Sequence, residues 1–214
     1  MSLLLHPAFT DQLILASGSQ VRIKMLHNAG LVFETIPAQI DERALETSML
    51  ESGCTAQEIG QALAIEKARF IAQKNPDALV IGADQILIFE GKIYSKPQDL
   101  DEARIRLKSF AGKTHQLLSA GCIMRNDELL WQASDEVNLQ MRAVDDAFID
   151  RYIQACGEDV LSSVGAYKIE EEGSWLFEKI DGDFFTVLGF PLLPFLGYLQ
   201  DNNFLVREIK SAAN

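Results

Sequence analysis

The apolar positions change their spacing repeatedly along the chain, and each change marks a different element. Leu13 to Ala16 form a short continuous apolar run of strand type; over residues 20–28 the pattern turns helical and stops at Gly30, a residue suited to the left-handed stop of a helix. Residues 32–36 read as a second strand. Thr55-Ala56-Gln57-Glu58 has the form of a capping box, and it predicts a helix running to about Lys74, before Pro76. Then ALVIGADQILIF supplies two apolar runs flanking Gly82-Ala83-Asp84, with Glu90-Gly91-Lys92 as a turn into Ile93 and Tyr94.

Residues 101–110 are amphipathic at helical spacing and close at Gly112, whereas residues 115–142 alternate as antiparallel strands around the turn Arg125-Asn126-Asp127. A helix is predicted over 146–156, ending at Gly157, then strands over 166–169 and 175–180, and a last helix near 191–200. Strands grouped in hairpins between helices predict an α/β fold with an elongated mixed sheet flanked by helices and a central cleft. No repeat or Ser/Gly linker divides the chain, so all of 1–214 reads as one domain with its core at about 13–199.

Composition narrows the picture. The chain has 214 residues, 48% of them apolar, enough for a substantial core. No apolar run reaches the roughly 18 residues of a membrane span, and the start MSLLLHPAFTDQ lacks the pattern of a secretory signal, so a cytoplasmic location is expected. The net charge of −12 argues against broad contact with nucleic acid. Cys54, Cys122 and Cys156 lie far apart, as do His6, His27 and His115, which argues against a zinc site and suits cysteines that simply pack.

Five stretches carry candidate chemistry. Ser17-Gly18-Ser19 between a strand and a helix puts two hydroxyls and free N–H groups at the positive end of that helix, and Arg22 in its first turn adds a guanidinium able to fork phosphate oxygens; the plainer reading is a serine cap and a solvated arginine. Asp84, in a buried apolar strand, needs a cation or metal beside it or else caps a turn, and Gly82 and Ala83 leave room for a ligand to approach the backbone. The acids Asp41 and Glu42, read as lying in a loop, offer a further metal ligand or base. Lys67 sits in the ridge of an apolar helix face, where snorkelling is the ordinary behaviour, and Lys96 precedes Pro97 in a loop. Gly112-Lys113-Thr114 imitates the end of a P-loop, but Leu107 stands where that motif requires glycine.

In order, Ser17-x-Ser19-x-x-Arg22, Asp41-Glu42, Ala64-x-x-Lys67-Ala68-Arg69, Ile81 to Gln85, Lys96-Pro97, Gly112 to His115, Val164 to Tyr167 and Leu188 to Leu192 resemble the Maf-like nucleoside triphosphate pyrophosphatases, a family similar in fold to inosine triphosphate pyrophosphatases. The resemblance spans about 13–199. It implies hydrolysis of a nucleoside triphosphate between the α and β phosphates with a divalent metal, Mg²⁺ or Mn²⁺, in a homodimer. It implies that Ser17, Ser19, Arg22 and Gln85 hold the substrate, that Lys67 and Lys96 neutralise the departing pyrophosphate, and that Glu42 and Asp84 place the metal and activate water.

The sequence departs from the family pattern in keeping one arginine in Gln20-Val21-Arg22 and in having Ser163 before Val164. It also carries Glu170 where thymidine- and uridine-directed members tend to have glutamine. An ionised carboxylate accepts hydrogen bonds only, so it suits the N–H edge of guanine and a cationic 7-methylguanine better still, which makes the sequence resemble the 7-methyl-GTP branch. Three exposed acids in a turn are the simpler account of residues 170–172. The competing functions are a nucleotide-binding regulator of septum formation without turnover, and a general nucleotide phosphatase.

Overall fold

The computed structural model describes residues 12–202, so His6 and the N-terminal stretch over residues 1–11 lie outside the described residues. Among the described residues seven strands form one mixed sheet. They are β1 (Leu13–Leu15), β2 (Glu34–Thr35), β3 (Leu79–Phe89), β4 (Lys92–Tyr94), β5 (Thr114–Arg125), β6 (Glu128–Met141) and β7 (Phe177–Asp181). The order is β2-β1-β3-β5-β6-β7, with β4 pairing β3. β1 runs parallel to β2 and β3, and every pairing from β3 onward is antiparallel.

The helices are α1 (Gln20–Asn28), α2 (Glu42–Glu51), α3 (Ala56–Ala72), α4 (Leu100–Phe110), α5 (Asp146–Cys156), α6 (Phe184–Val187) and α7 (Leu192–Asp201). The capping box opens α3: Glu58 N–H donates to Thr55 Oγ1 at 3.3 Å, and Thr55 N–H to Glu58 Oε2 at 2.7 Å. α3 covers one face of the sheet, where Ala64, Ala68 and Ile71 pack on Val80, Cys122 and Met124. The opposite face is covered in two parts. Met25, Leu26, Phe195 and Leu199 from α1 and α7 pack over Leu15 and Ile81, while Leu107 and Phe110 from α4 and Ile149 and Ile153 from α5 pack over Leu87 and Leu139.

β3 decides where a ligand could enter. β5 borders it from Val80 to Ile88, but on the other edge β1 pairs only with Leu79 to Ile81 and β4 only with Leu87 to Phe89. Residues 82–86 therefore have an unpaired edge in mid-sheet, opposite the seam between the two helix groups. The two apolar runs of the sequence are one continuous strand that crosses this gap.

Gly82 is not a place for a ligand, contrary to the sequence expectation. A Cβ there would lie 2.0 Å from Ala64 O and 2.9 Å from Ala68 Cβ, so its vacancy is filled by α3 pressed against the strand. Ala83 is buried on the other face, among Ile81 and Phe190.

Other differences from the sequence reading are local. Asp41 and Glu42 are not in a loop: Asp41 caps α2 by accepting from Ala44 N–H at 2.9 Å, and Glu42 is its first residue. Residues 166–169 form no strand, because Ala166 has φ +61°, a left-handed conformation that breaks a ladder. The Gly112-Lys113-Thr114 stretch is the turn from α4 into β5, and Lys113 pairs with Glu90 at 2.8 Å. Cys122 is buried and donates to Ala64 O at 3.4 Å, and burial pushes its thiol up to about 12. Among the described residues no helix is long and apolar enough to cross a membrane.

His115, 1% exposed, stacks on Phe110 and lies with Nε2 2.6 Å from Tyr167 Oη. Burial lowers its pKa to about 4 from 6.5. A folded value below the unfolded one gives stability that is present above the unfolded pKa and is lost as pH falls from 6.5 towards 4. The loss expected from this residue is on the order of 3 kcal/mol. Urea unfolding of the wild type and His115→Gln at pH 7 and pH 4 checks it: the variant is expected to lose less stability over that interval by about this amount.

Candidate active site

The site is built at the gap in β3 by the close approach of α3. Small residues at Ala64, Ala68 and Gly82 let the helix backbone sit against the strand, and Lys67, between the two alanines, then reaches Asp84, two residues beyond Gly82 on the same face. Lys67 Nζ lies 2.7 Å from Asp84 Oδ1 and 2.8 Å from Glu42 Oε2. Lys67 and Asp84 are 9% and 6% exposed, so Lys67 does not snorkel to solvent. Glu42, at the start of α2, is half-exposed and closes the cluster from the solvent side.

Across the gap stands Arg22. Its Nε donates to Gly189 O at 2.7 Å, and NH1 to Ser17 Oγ at 3.2 Å and to Ala83 O at 3.3 Å. It thus satisfies one carbonyl of the unpaired strand edge and is fixed at three separate points of the chain. Ser19 caps α1, accepting from Arg22 N–H at 3.5 Å, and Ser19 N–H donates to Ser17 Oγ at 3.3 Å.

Ser17, Arg22, Lys67, Asp84, Lys96 and Glu170 all line one cleft of about 1640 Å³, and Ser19, Glu42 and Gln85 border it as well. Gln85 points to the face opposite Asp84. Its Nε2 donates to Thr186 O at 3.1 Å and Val187 O at 3.0 Å, which ties α6 to the sheet and leaves that amide nitrogen little freedom to bind substrate. Lys96 is exposed and makes no hydrogen bond or ion pair among the described residues.

The charges are poised against their surroundings. Burial raises the Asp84 pKa, against the lowering pull of Lys67 and Arg22. Burial also lowers Arg22, opposed by Asp84 and Glu42, and partial desolvation followed by the Arg22 charge lowers Lys96. The cations want an anion among them, and the Asp84 carboxylate is still short of positive charge with Lys67 in contact.

Sequence reasoning missed Glu46. It stands one turn after Glu42 and lines the cleft, and its pKa is raised by burial and then by Asp84. The signal was the i, i+4 spacing of the two acids, legible only once α2 is recognised as a helix. Lys168 was also missed. It lines the cleft and pairs with Asp159 at 2.7 Å.

Residues 12–202 match the family model described as Maf-like protein. The chain belongs to the Maf-like family. A 7-methyl-GTP pyrophosphatase of Brucella suis biovar 1 (strain 1330) is 48% identical over 191 residues, which is 89% of this Maf-like chain and 96% of the relative. One of the same name from Rhizobium meliloti (strain 1021) is 47% identical over 88% of this chain and 95% of its own. A nucleoside triphosphate pyrophosphatase of Ruegeria sp. (strain TM1040) is 43% identical over 89% and 96%. Among solved structures, a HAM1 protein from Coxiella burnetii covers 63% of this chain and 75% of its own at 15% identity and a TM-score of 0.39, a likeness too loose to bear on the site.

Proposed function

We propose that this Maf-like chain is a nucleoside triphosphate pyrophosphatase, which adds water across the α–β anhydride to give a nucleoside monophosphate and pyrophosphate. The observation that carries the proposal is the meeting of Arg22, Lys67 and Lys96 with Asp84 and Glu42 at one gap in the sheet. The family relatives named for this activity, similar over nearly their full length, support it.

Phosphoryl chemistry asks mainly for positioning and for charge where charge develops. Arg22, braced by Gly189 and Ala83, presents its remaining N–H groups to a phosphate, and the Ser17 hydroxyl and the start of α1 extend that cradle. Lys96 meets charge accumulating on the departing pyrophosphate. The protein bonds to Asp84 among the described residues fall on Oδ1, which leaves Oδ2 to take a proton from the attacking water. Lys67 holds that carboxylate in place.

A divalent ion, Mg²⁺ or Mn²⁺, fits the donor set. Glu42 and Asp84 offer hard oxygens, and the Asp84 carboxylate lacks full cationic compensation. Among the described residues no group of three or more acidic, histidine or cysteine side chains could hold a metal ion, so further ligands would have to come from substrate phosphates and water. When bound, such an ion supplies Lewis-acid charge at the phosphoryl oxygens.

Within this reaction we assign 7-methyl-GTP as the preferred substrate, read by Glu170 at the exposed wall of the cleft. Relatives carrying that substrate in their names support the assignment. Glu170→Gln is expected to lower kcat/KM for 7-methyl-GTP relative to UTP by about 10- to 100-fold, the worth of a charged hydrogen bond. Parallel turnover with 7-methyl-GTP, GTP, UTP and dTTP measures it, and an unchanged ratio would remove Glu170 from base recognition.

The activity itself is tested by analysing products with Mg²⁺ present. Pyrophosphate and monophosphate in equal amounts are expected, orthophosphate would indicate a general phosphatase, and no turnover across the panel would leave a binding regulator. The homodimer implied by family resemblance is carried forward as part of this proposal, with sedimentation as its measurement.

A further inference from the structure

Helix α4 carries a cation that the chemistry above does not use. Arg106 is 5% exposed, and its NH1 donates to the carbonyl oxygens of both Ser95 and Val164. Its NH2 meets Glu102 Oε1 at 2.7 Å. The other oxygen of that carboxylate, Oε2, accepts from Gln98 N–H at 2.8 Å. One arginine–glutamate pair therefore grips the loop Ser95-Lys96-Pro97-Gln98 at the carbonyl before Lys96 and at the amide after Pro97.

The consequence falls on Lys96. With no hydrogen bond or ion pair of its own among the described residues, its ammonium is placed by its backbone and by the charges of Arg22, Glu42, Lys67 and Asp84 around it. The second carbonyl held by Arg106, that of Val164, begins the segment that runs through Gly165 and Tyr167 to Glu170 along the same cleft. That segment is tightly folded: a Cβ on Gly165 would lie 2.2 Å from the Tyr167 ring. A displacement at Val164 has little slack to absorb it.

Packing alone does not call for an arginine here. Arg106 Nε is buried without a hydrogen-bond partner, and a buried guanidinium with an unmet donor is costlier than an apolar side chain of similar volume. What arginine alone supplies is a planar fork that reaches two carbonyls and a carboxylate at once, which a lysine ammonium does not reproduce.

We infer that Arg106 is a positioning residue for the pyrophosphatase reaction: by joining Ser95 to Val164 it holds two cleft-lining loops at one separation and sets where the Lys96 ammonium meets the departing phosphates. The inference rests on the role given above to Lys96.

A double-mutant cycle tests it, using the triphosphate of the panel with the highest turnover and Mg²⁺, with circular dichroism and thermal melting run on every variant. Arg106→Lys is expected to lower kcat/KM about tenfold in the wild type, within the range of measured couplings, and about threefold or less where Lys96 is already alanine. An equal loss in both backgrounds would overturn the inference, because a general structural defect does not depend on Lys96. If Lys96→Ala is itself without effect, the role of Lys96 fails and the inference falls with it, a result distinct from the first because there Lys96→Ala is damaging. Should Arg106→Lys not fold, Glu102→Gln at its half-exposed position runs the same cycle, with a loss of about threefold expected in the wild type and none in the alanine background.

Discussion

Asp84→Asn is expected to lower kcat for pyrophosphate release by about 10³-fold, within the span attributed to general-base catalysis, and to leave the melting temperature unchanged or higher. The two effects share a cause. Asp84 is 6% exposed, and burial raises its pKa even with Lys67 2.7 Å away, so its ionised form weakens the fold it sits in. A folded pKa above the unfolded one means that stability is fullest below the unfolded value and declines as pH rises through the folded value. The neutral amide escapes that cost but has no site for the proton of water. Continuous pyrophosphate detection and thermal melting at pH 8 measure both. An asparagine variant that keeps more than about a tenth of wild-type turnover would remove Asp84 as the base.

Lys67→Met is expected to act on activity and stability together. Among the described residues Lys67 alone pairs with both Asp84 and Glu42, and Glu46 lies near them on the next turn of α2. Without the ammonium, mutually repelling carboxylates remain around a buried position. Removing one partner of a buried ion pair costs about 3–5 kcal/mol, here reduced by the exposure of Glu42 to about 2–3 kcal/mol at pH 8. At pH 5 the cost shrinks, because Asp84, its pKa raised further by the loss of Lys67, takes up a proton in the folded state. Urea unfolding at the two pH values measures this difference, and a destabilisation equal at both would show that packing, and not charge, accounts for the loss. Turnover is expected to fall by about 10²- to 10³-fold, as when one preorganised electrostatic group is removed.

These two residues also show how far the sequence carries. Lys67 could be placed on an apolar helix face from its spacing, and Asp84 in a buried strand, but both features have ordinary explanations in isolation. Neither pattern states that Ala64, Ala68 and Gly82 would let helix and strand touch and so bring the two charges together. Glu42 went further astray: read as a loop acid, it begins a helix whose turn also delivers Glu46. α2 escaped notice because it buries no residue fully, so its hydrophobic period is weak. Gln85 reads as a substrate ligand by its neighbourhood in the chain; it borders the cleft, but strand alternation turns it to the face opposite Asp84, where its amide nitrogen also holds α6.

The sequence by itself determined the strands and helices with strong periods, the capping box of α3, the mixed character of the sheet and the presence of basic and acidic groups suited to a polyphosphate. Those properties are local, since propensity, spacing and charge act over a few residues. Tertiary structure alone decided that β1 and β4 stop short of each other along β3, that Arg22 closes the exposed strand edge, and that Arg106 joins loops 58 and 11 residues from it in the chain. Pairings of that kind depend on which surfaces the packed elements leave unfilled, and no local period of the chain encodes them.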